Sequence, residues 1–416
     1  MTLKSRLARL QTQAGAPAPA APSASTSQPA LQGASPLKSR LQQLRPERLQ
    51  GKSTTITHPQ LSVEALAKTV NGDLLADGLI RITETLPLQG QIGQTNWNIL
   101  NEIPLLPGDK RATPGVYIDT ETTGLAGGSG TLAFLVGMAH IQGQHLKLTQ
   151  FLITRFALES EMLSAVEQAV PPGHRLISYN GKSYDLPLLI TRFRMHAMQS
   201  SLADHEHLDL LHPVRRLFAT RWNDCRLTTL EQQLLGLYRQ DDLPGSEAPE
   251  AWFRYLRDGN AQPLIKVIEH NRQDILSLAL AHATLAKAVA TPMQYKADIH
   301  GLARWLADVD ETQALALLQS HRDKLSDESQ RLLAHLLRRS DNWSDAVAIW
   351  EKLAKQGCVE SIERLAKYHE HISKDLQAAW WYCEQLPGSA ADRHRRQRLQ
   401  EKRAKHQQAI PLQLII

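Results

Sequence analysis

Two acidic residues, Asp119 and Glu121, lie two positions apart in the string VYIDTETTGL, which covers residues 116–125. The apolar residues before them predict a β-strand, in which side chains two positions apart point to the same face of the sheet. Two carboxylates on one face repel each other unless a cation lies between them, and hard divalent cations such as Mg²⁺ prefer carboxylate oxygens. Because such pairs also occur on solvent-exposed strands, the pair alone leaves a metal site and a solvated face both open.

A further carboxylate, Asp185, lies at the predicted start of a helix in the string YNGKSYDLPLL, which covers residues 179–189. It is either another ligand of the same site or a cap of that helix. Asn180 ends the preceding predicted strand, where it either braces the turn or contacts a nucleotide. Lys182 lies between Asn180 and Asp185, and its position predicts that it binds phosphate.

The third string, EHNRQDIL, covers residues 269–276 and places His270 four positions before Asp274. Residues at this spacing lie on one face of a helix. Alone, such a pair is more often a solvated contact than a catalytic one. Together with the other two strings, on a strand, a helix start and a helix in that order, it predicts one acidic site.

The loop AGGSG, residues 126–130, directly follows the first acidic pair. Its glycines either let a phosphodiester backbone approach closely or form a tight turn. We take Thr122 and Gly128 as candidate substrate contacts. Asp209 in the string HLDLLH is more readily explained as a structural residue of a fifth strand.

The elements that must position these residues are read from the apolar patterns around them. The strings VYID, TLAFLVGMAHI, HLKLTQFLI and RLISYNG predict strands, and the tight turn QGQ makes the second and third an antiparallel hairpin. Helices are predicted between and after them, including a long one over residues 263–288 that carries His270 and Asp274. This order predicts an α/β fold, in which a mixed sheet is flanked by helices.

The chain divides into five predicted segments. They are a disordered basic tail over residues 1–50, an irregular β-containing lead-in over 51–110, the α/β domain over 111–290, an all-α helical array over 291–388 and a basic tail over 389–416. The array has the spacing of a helix-turn-helix repeat of about 34 residues. The first tail contains the motif LKSRL twice. The duplicated motif is either solvated and transiently helical or folds onto a partner or nucleic acid.

The positive charge is concentrated at the two ends of the chain. The 416 residues include 47 Lys+Arg and 42 Asp+Glu, a formal net charge of +5. Residues 1–50 carry +6 and residues 389–416 carry +5, which leaves −6 for the remainder. We therefore expect the ends to attract nucleic acid with a strong salt dependence, while the acidic centre holds metal.

The cysteines and the apolar segments bear on the compartment. The three cysteines, Cys225, Cys358 and Cys383, form no C-x-x-C pair, which is typical of a reducing compartment. The N-terminus has no apolar core of a secretory signal, and no stretch approaches the roughly 18 apolar residues that span a bilayer. We expect a cytoplasmic protein with no membrane partner.

Over residues 116–285 the sequence resembles the DEDD exonucleases with the ribonuclease H-like fold, and among them the YprB-type ribonuclease H-like proteins. The resemblance is carried by the strings IDTETTGLAGGSGTLAFLVG, SYNGKSYDLPLL, HLDLLHPVRRLF, LTTLEQQLLGL, RQDDLPGSEAP and HNRQDILSLALAH. The helices after residue 291 look like the tetratricopeptide-like tail often found on such proteins.

The resemblance implies a set of site residues. The ligands of two divalent ions, Mg²⁺ or Mn²⁺, would be Asp119, Glu121, Asp185 and Asp274. His270 would orient or deprotonate the attacking water. Better-known subclasses place a His five positions before the last Asp or a Tyr four before it, whereas His270 is four before Asp274. His270 therefore either replaces that Tyr or is not the general base.

The activity implied by the resemblance is that of a metal-dependent 3′–5′ exonuclease acting on DNA or RNA, with single strands as the expected substrate. One alternative is a structure-selective endonuclease that uses the same metals. The other is a nucleic-acid-binding scaffold that recruits proteins through the helical array over residues 291–388. The four acids argue against a pure binding role, because clustered carboxylates facing phosphates contribute only repulsion.

Overall fold

The computed structural model of the chain describes residues 60–109, 112–124 and 130–408. Within these ranges the predicted α/β fold is confirmed, since a seven-stranded mixed sheet is flanked by helices and followed by a helical region. The predicted tail over residues 1–50, with its repeated motif, and Gly128 lie outside the described residues. None of the helices in these ranges is long and apolar enough to cross a membrane.

The main sheet is built from seven strands. Their bounds are β1 Gly72–Ala76, β2 Leu79–Pro87, β5 Gly115–Thr122, β6 Ala133–Gln142, β7 His145–Ile153, β8 Arg175–Ser178 and β9 His207–Asp209. A separate short hairpin is formed by β3 Gln91–Ile92 and β4 Thr95–Asn96. The order across the main sheet is β1-β2-β7-β6-β5-β8-β9. Strand β5 pairs antiparallel with β6 and parallel with β8, which pairs parallel with β9.

Helices pack on both faces of this sheet. Their bounds are α1 Val63–Thr69, α2 Glu159–Ala169, α3 Asp185–Met195, α4 Leu211–Phe218, α5 Leu227–Leu230, α6 Ala248–Asp258 and α7 Gln262–Ala290. A short π-helix, Glu231–Leu235, continues α5 and ends at Gly236, which adopts a left-handed conformation. The helical region consists of α8 Ile299–Ala307, α9 Glu311–Ser320, α10 Asp327–Arg339, α11 Trp343–Lys355, α12 Val359–His371, α13 Leu376–Glu384 and α14 Ala390–Gln408.

The lead-in before residue 111 joins the sheet. Strand β2 pairs antiparallel with β7 along its whole length, from Leu79 opposite Ile153 to Pro87 opposite His145. Strand β1 then pairs with β2, so the two lead-in strands cover the edge of β7. The predicted hairpin of β6 and β7 is confirmed, and Gly143 adopts a positive φ of 60° in its turn.

Each face of β5 packs against a different apolar cluster. Val116 and Ile118 pack with the cluster that contains Trp252 of α6, whereas Tyr117 packs with the cluster that contains Leu278 of α7. Side chains alternate along a strand, so the odd-numbered residues of β5 share the face that α7 covers. The site residues on β5 are therefore directed towards α7.

The helical region shares its core with the α/β domain. The cluster around Tyr117 and α7 continues through Leu302, Trp305 and Leu333 to Leu365. At the junction the backbones come very close, because a Cβ on residue 301, a glycine in α8, would overlap the carbonyl oxygen of Arg216. A small residue is required there.

The predicted basic tail from residue 389 is helical over its described part. Helix α14 buries Leu399 against the last apolar cluster. It is also held by charge, since Arg398 and Lys402 donate to Glu370 of α12, with closest distances of 2.7 Å and 2.8 Å. Although burial alone would raise the pKa of Glu370, these hydrogen bonds lower it to about 2. Part of the basic charge at this end therefore docks a helix.

We predict that Glu370→Gln weakens the docking of α14. Two basic side chains would lose their carboxylate, which we expect to cost about 1–3 kcal/mol because Arg398 and Lys402 are partly exposed. Since the folded pKa of Glu370 is depressed, its contribution should be complete above about pH 4.5 and lost towards about pH 2. Thermal unfolding and limited proteolysis at neutral pH would measure the effect. The control is Glu384→Gln at an exposed position, and equal behaviour of both variants would contradict the prediction.

Candidate metal centre

Two carboxylates are presented by the end of strand β5. Asp119 lies opposite Gly137 of β6, and Glu121 lies opposite Leu135. The register shifts between Glu121 and the next residue, so the strand is irregular where the acids end. Both acids lie on the face of the sheet that α7 covers, and Glu121 is only 8% exposed.

The third carboxylate, Asp185, is the first residue of α3. It is buried and accepts a hydrogen bond from the Thr120 hydroxyl of β5. The turn before it is tight, because a Cβ on residue 181, a glycine, would meet Ser178 and Asp185. Asp209 at the end of β9 fixes this turn by accepting hydrogen bonds from the backbone N–H groups of residues 180, 182 and 211. The structural role predicted for Asp209 is confirmed.

Helix α7 contributes Asp274 and His270. Glu121, His270 and Asp274 each offer a ligand atom within 4.8 Å of the others. His270 Nε2 lies 3.5 Å from an Asp274 carboxylate oxygen. This group joins strand β5 to helix α7, and it includes neither Asp119 nor the helix-start residue Asp185. The charge of Asp185 nevertheless acts on both Asp119 and Glu121.

Burial and neighbouring negative charges raise the pKa of the carboxylates. Burial raises the pKa of Asp119 well above its usual value, and the charges of Asp274, Asp185 and Glu121 raise it further. Burial and the charge of Asp274 raise the pKa of Glu121 in the same way. Burial also raises the pKa of Asp185 to about 6, although the Thr120 hydroxyl opposes the shift. These groups therefore lack enough positive charge around them to stay ionised without cost.

Among the described residues, Arg239 brings positive charge to the cluster. Arg239 donates to an Asp274 carboxylate oxygen and forms two hydrogen bonds with Glu231, at 2.6 Å and 2.7 Å. Burial raises the pKa of Asp274, and the Arg239 guanidinium is the main opposing influence. Glu231 is fully buried and also accepts a hydrogen bond from the Ser277 hydroxyl. Arg239 is thus held mainly by a carboxylate behind the cluster and neutralises only part of its charge.

The orientation of Asp119 is set by Asn271 of α7. The Asn271 amide donates to Asp119 Oδ2 at 2.8 Å, and its carbonyl accepts from Gln150 of β7 at 2.9 Å. Asn271 is fully buried and occupies the space that a side chain on Gly137 would need. Gly137 therefore allows α7 to lie close enough to the sheet for this contact.

His270 is held in one orientation. Its Nδ1 lies 2.7 Å from an Asp242 carboxylate oxygen and 3.2 Å from Arg239. The Asp242 carboxylate is the nearer partner and can only accept, so it favours the tautomer with the proton on Nδ1, and Nε2 then lies on the side of Asp274.

The other predicted site residues lie around the cluster in different situations. Asn180 has a positive φ of 66° and is exposed, and Lys182 beside it is exposed as well. Thr122 is buried, and its hydroxyl donates to the Gly124 carbonyl oxygen at 2.9 Å. Their roles in substrate binding stay predictions, as does that of Gly128, which lies outside the described residues.

Sequence reasoning did not single out Arg239, Asp242, Asn271 or Gly137. Asn271 directly follows His270 in the string HNRQD, and Arg239 and Asp242 stand in the string RQDDLPGSEAP, which contributed to the resemblance. That second string was therefore a signal that these residues belong to the site. No local signal distinguishes Gly137, because its role depends on the approach of α7.

Comparison with known proteins agrees with this fold. The family model described as the RNase H superfamily matches residues 116–286. YprB of Bacillus subtilis (strain 168), an uncharacterized protein, is 32% identical over 292 residues, which cover 66% of this chain and 69% of YprB. Among solved structures, the family B DNA polymerase from Pyrobaculum calidifontis is similar with a TM-score of 0.35 and 13% identity. That similarity covers 57% of this chain and 33% of the polymerase chain.

We predict that Asp119→Asn stabilises the protein in the presence of EDTA. The change removes one of several mutually repelling buried charges and keeps an acceptor for Asn271, so a gain of about 1–3 kcal/mol is expected. The increase in Tm that Mg²⁺ produces in the unaltered protein should be reduced or absent in the variant. Differential scanning calorimetry with EDTA and with Mg²⁺ would measure both effects, and a lower Tm in EDTA would refute the prediction.

We also predict that Gly137→Ala disturbs the cluster from behind. The added methyl group would displace the Asn271 carboxamide, which we expect to cost about 1–3 kcal/mol through overpacking. Affinity for Mn²⁺, measured by calorimetric titration, should fall as Asp119 loses its fixed orientation. Gly143→Ala is the control for a destabilising loss of a glycine away from the cluster, since its positive φ strains the backbone although the hairpin turn has open space. Equal Mn²⁺ affinity in both variants would argue against the role assigned to Gly137.

Proposed function

The chain belongs to the YprB family and contains a ribonuclease H superfamily domain, and on that premise we propose that it is a metal-dependent nuclease. More specifically, we propose a 3′–5′ exonuclease that hydrolyses phosphodiester bonds in DNA or RNA with two divalent ions. Superfamily membership supports nuclease chemistry, and the motif strings given above support the exonuclease mode and the polarity.

The observation that carries the proposal is the acidic cluster, in which Glu121 and Asp185 are buried and Asp119 and Asp274 are half-buried. Burial raises the pKa of all four carboxylates, the charges of Asp274 and Asp185 raise those of Asp119 and Glu121 further, and Arg239 compensates only part of the negative charge. An arrangement of this kind costs stability unless cations are bound to it. Such a cost is expected at a functional site and is difficult to explain in a purely structural cluster.

The donor set fits hard divalent cations. The donors are carboxylate oxygens, which suit Mg²⁺ or Mn²⁺ better than a thiophilic metal. Asp119, Glu121, Asp185 and Asp274 would hold the ions. Bound in pairs, such ions make water nucleophilic at neutral pH and stabilise charge on the attacking and leaving oxygens.

His270 is suited to moving a proton. The Asp242 carboxylate accepts a hydrogen bond from the Nδ1–H group, which leaves Nε2 as the basic nitrogen on the side of the acidic cluster. We propose that Nε2 accepts a proton from the attacking water and that Asp242 stabilises the imidazolium that results. This assignment takes His270 in place of the Tyr of related subclasses.

A pocket beside His270 offers room for part of the substrate. It has a volume of about 280 Å³ and is lined by Tyr238, Lys266 and His270, among others. Tyr238 is 72% exposed, so its ring is available for stacking with a base. Lys266 supplies positive charge at the same place. We propose that the terminal nucleotide occupies this pocket.

The helical region is proposed to bind a protein partner. It consists of paired amphipathic helices, an arrangement that commonly presents extended binding surfaces. Because its core is continuous with that of the α/β domain, a variant with surface substitutions is a better test of this role than a deletion.

A nuclease assay with end-labelled strands tests the proposed function. Single-stranded DNA and RNA of one sequence would be incubated with Mg²⁺, with Mn²⁺ and with EDTA. We expect stepwise shortening of 5′-labelled strands that EDTA abolishes and that Asp119→Asn slows by at least about a thousandfold, because metal binding supplies several kcal/mol to the transition state. The matched control, Asp204→Asn at an exposed position, should retain full activity.

The products separate the alternatives. A blocked 3′ end should stop an exonuclease of this polarity, whereas a structure-selective endonuclease would still produce internal cuts. Binding of nucleic acid without metal-dependent turnover on any substrate would favour the scaffold. Activity that survives both EDTA and Asp119→Asn would refute the metal-dependent mechanism.

A further inference from the structure

A second groove lies along α7, away from the acidic cluster. It has a volume of about 710 Å³, and its walls come from the β3–β4 hairpin, the π-helix, the C-terminal part of α7 and the turn that follows α7. The polar and basic side chains that line it include Gln94, Asn96, Gln233, Thr284, Lys287 and Lys296. From these we propose that the groove binds a stretch of the nucleic acid strand, an inference that rests on the proposed nuclease function.

The charge of the groove favours an anion. Among the described residues that line it, Lys287 and Lys296 are basic and none is acidic. Neither lysine has a carboxylate within 4.0 Å in the described part of the chain. By contrast, the pocket beside His270 contains charges of both signs, with Arg239 and Lys266 beside Asp241, Asp242 and Glu269. The groove is therefore the more uniformly basic of the two places on α7, and phosphate is a ligand that suits it.

One buried group in the groove lacks a partner. Thr284 is 3% exposed, and its hydroxyl makes no hydrogen bond within the described residues. A buried hydroxyl without a partner is costly, so a ligand that supplies one gains from it. The exposed amides of Gln94, Asn96 and Gln233 offer further donors and acceptors around it. Together, the hydroxyl and the amides could form hydrogen bonds with phosphate oxygens and with the edges of bases.

An aromatic side chain completes the groove. Tyr295 lines it, directly precedes Lys296 in the sequence and is partly buried. Basic residues interleaved with aromatic rings are the usual means of holding a single strand without sequence preference, since the phosphates meet cations and the bases stack. The combination favours a nucleic acid over a small inorganic anion.

The position of the groove fits a strand that extends from the cluster. Thr284 follows Asp274 by ten residues, which is about 15 Å along an α-helix. Ser277, two turns before Thr284, lies on the same side of α7 and contacts Glu231 beneath Arg239. At about 3.4 Å per stacked nucleotide, the groove would hold the strand roughly four nucleotides from the reacting phosphate.

Binding in EDTA tests the inference independently of cleavage. The double variant Lys287→Gln/Lys296→Gln would be compared with the control Lys352→Gln/Lys355→Gln, which removes the same charge from exposed positions on α11. The probe is a fluorescent single strand of about ten nucleotides, long enough to reach both places. We expect affinity to fall on the order of tenfold and the slope of log K against log salt to become less negative by about 1.4, because each phosphate contact contributes about 0.7.

A second variant removes the hydroxyl alone. Thr284→Val keeps the shape of the side chain, so the free protein should have an equal or higher Tm, while affinity for the strand should fall about threefold to tenfold. A salt slope in the lysine variant equal to that of its control would overturn the inference, and so would unchanged affinity in Thr284→Val.

Turnover distinguishes this inference from the proposed function. With Mg²⁺ or Mn²⁺, the lysine variant should show a higher KM on the longer strand and an unchanged KM on a dinucleotide, which cannot reach the groove. If the lysine variant and the unaltered protein had equal KM values on the longer strand as well as on the dinucleotide, the inference would be overturned and the nuclease proposal would stand. Loss of binding in EDTA by the lysine variant, without cleavage by any form of the protein, would support the groove and refute the nuclease.

Discussion

The repulsion between carboxylates at the end of β5 is the constraint on which the rest of the structure depends. Asp119, Glu121 and Asp185 are brought together by a strand and by the start of α3, and α7 adds Asp274 from across the sheet face. The surrounding fold must hold these groups against their own charge. It does so with a large apolar core on each face of the sheet and with Arg239, which is anchored behind the cluster by Glu231. The stability needed to keep the acids together therefore comes from parts of the molecule that take no part in chemistry.

Hydrogen bonds from neutral groups support the elements that carry the acids. Asn271 joins α7 to Asp119 and to Gln150, so one amide fixes the spacing between the helix and two strands. Asp209 secures the turn before Asp185 entirely through backbone N–H groups. These contacts use neutral donors, which orient the carboxylates without occupying all of their lone pairs. The ligand oxygens thus keep the capacity to bind a cation.

Much of the fold and the acidic cluster could be predicted from the sequence, because the strands, the long helix and the spacing of the acids are local patterns. The α/β architecture and the β6–β7 hairpin follow from alternation and helical periodicity. The meeting of Glu121 with Asp274 could be expected only from the three strings taken together and from the resemblance. Two further features could not be predicted from local patterns. Strand β2 of the lead-in pairs with β7, some 65 residues away in sequence, and the role of Gly137 depends on Asn271, which is more than 130 residues later. Such contacts are set by tertiary packing, which no local pattern encodes.

The close approach of α8 to Arg216 has a consequence for how the proposed nuclease would handle long substrates. A helical region that shares its core with the α/β domain cannot swing about a linker, because any rotation would separate buried apolar surfaces. A partner bound to the helices would therefore stay at a constant distance and direction from the acids. In the proposed nuclease the region would act as a fixed spacer, and substrates would be distinguished by whether their shape reaches both places at once. Selection of this kind would need no closing motion.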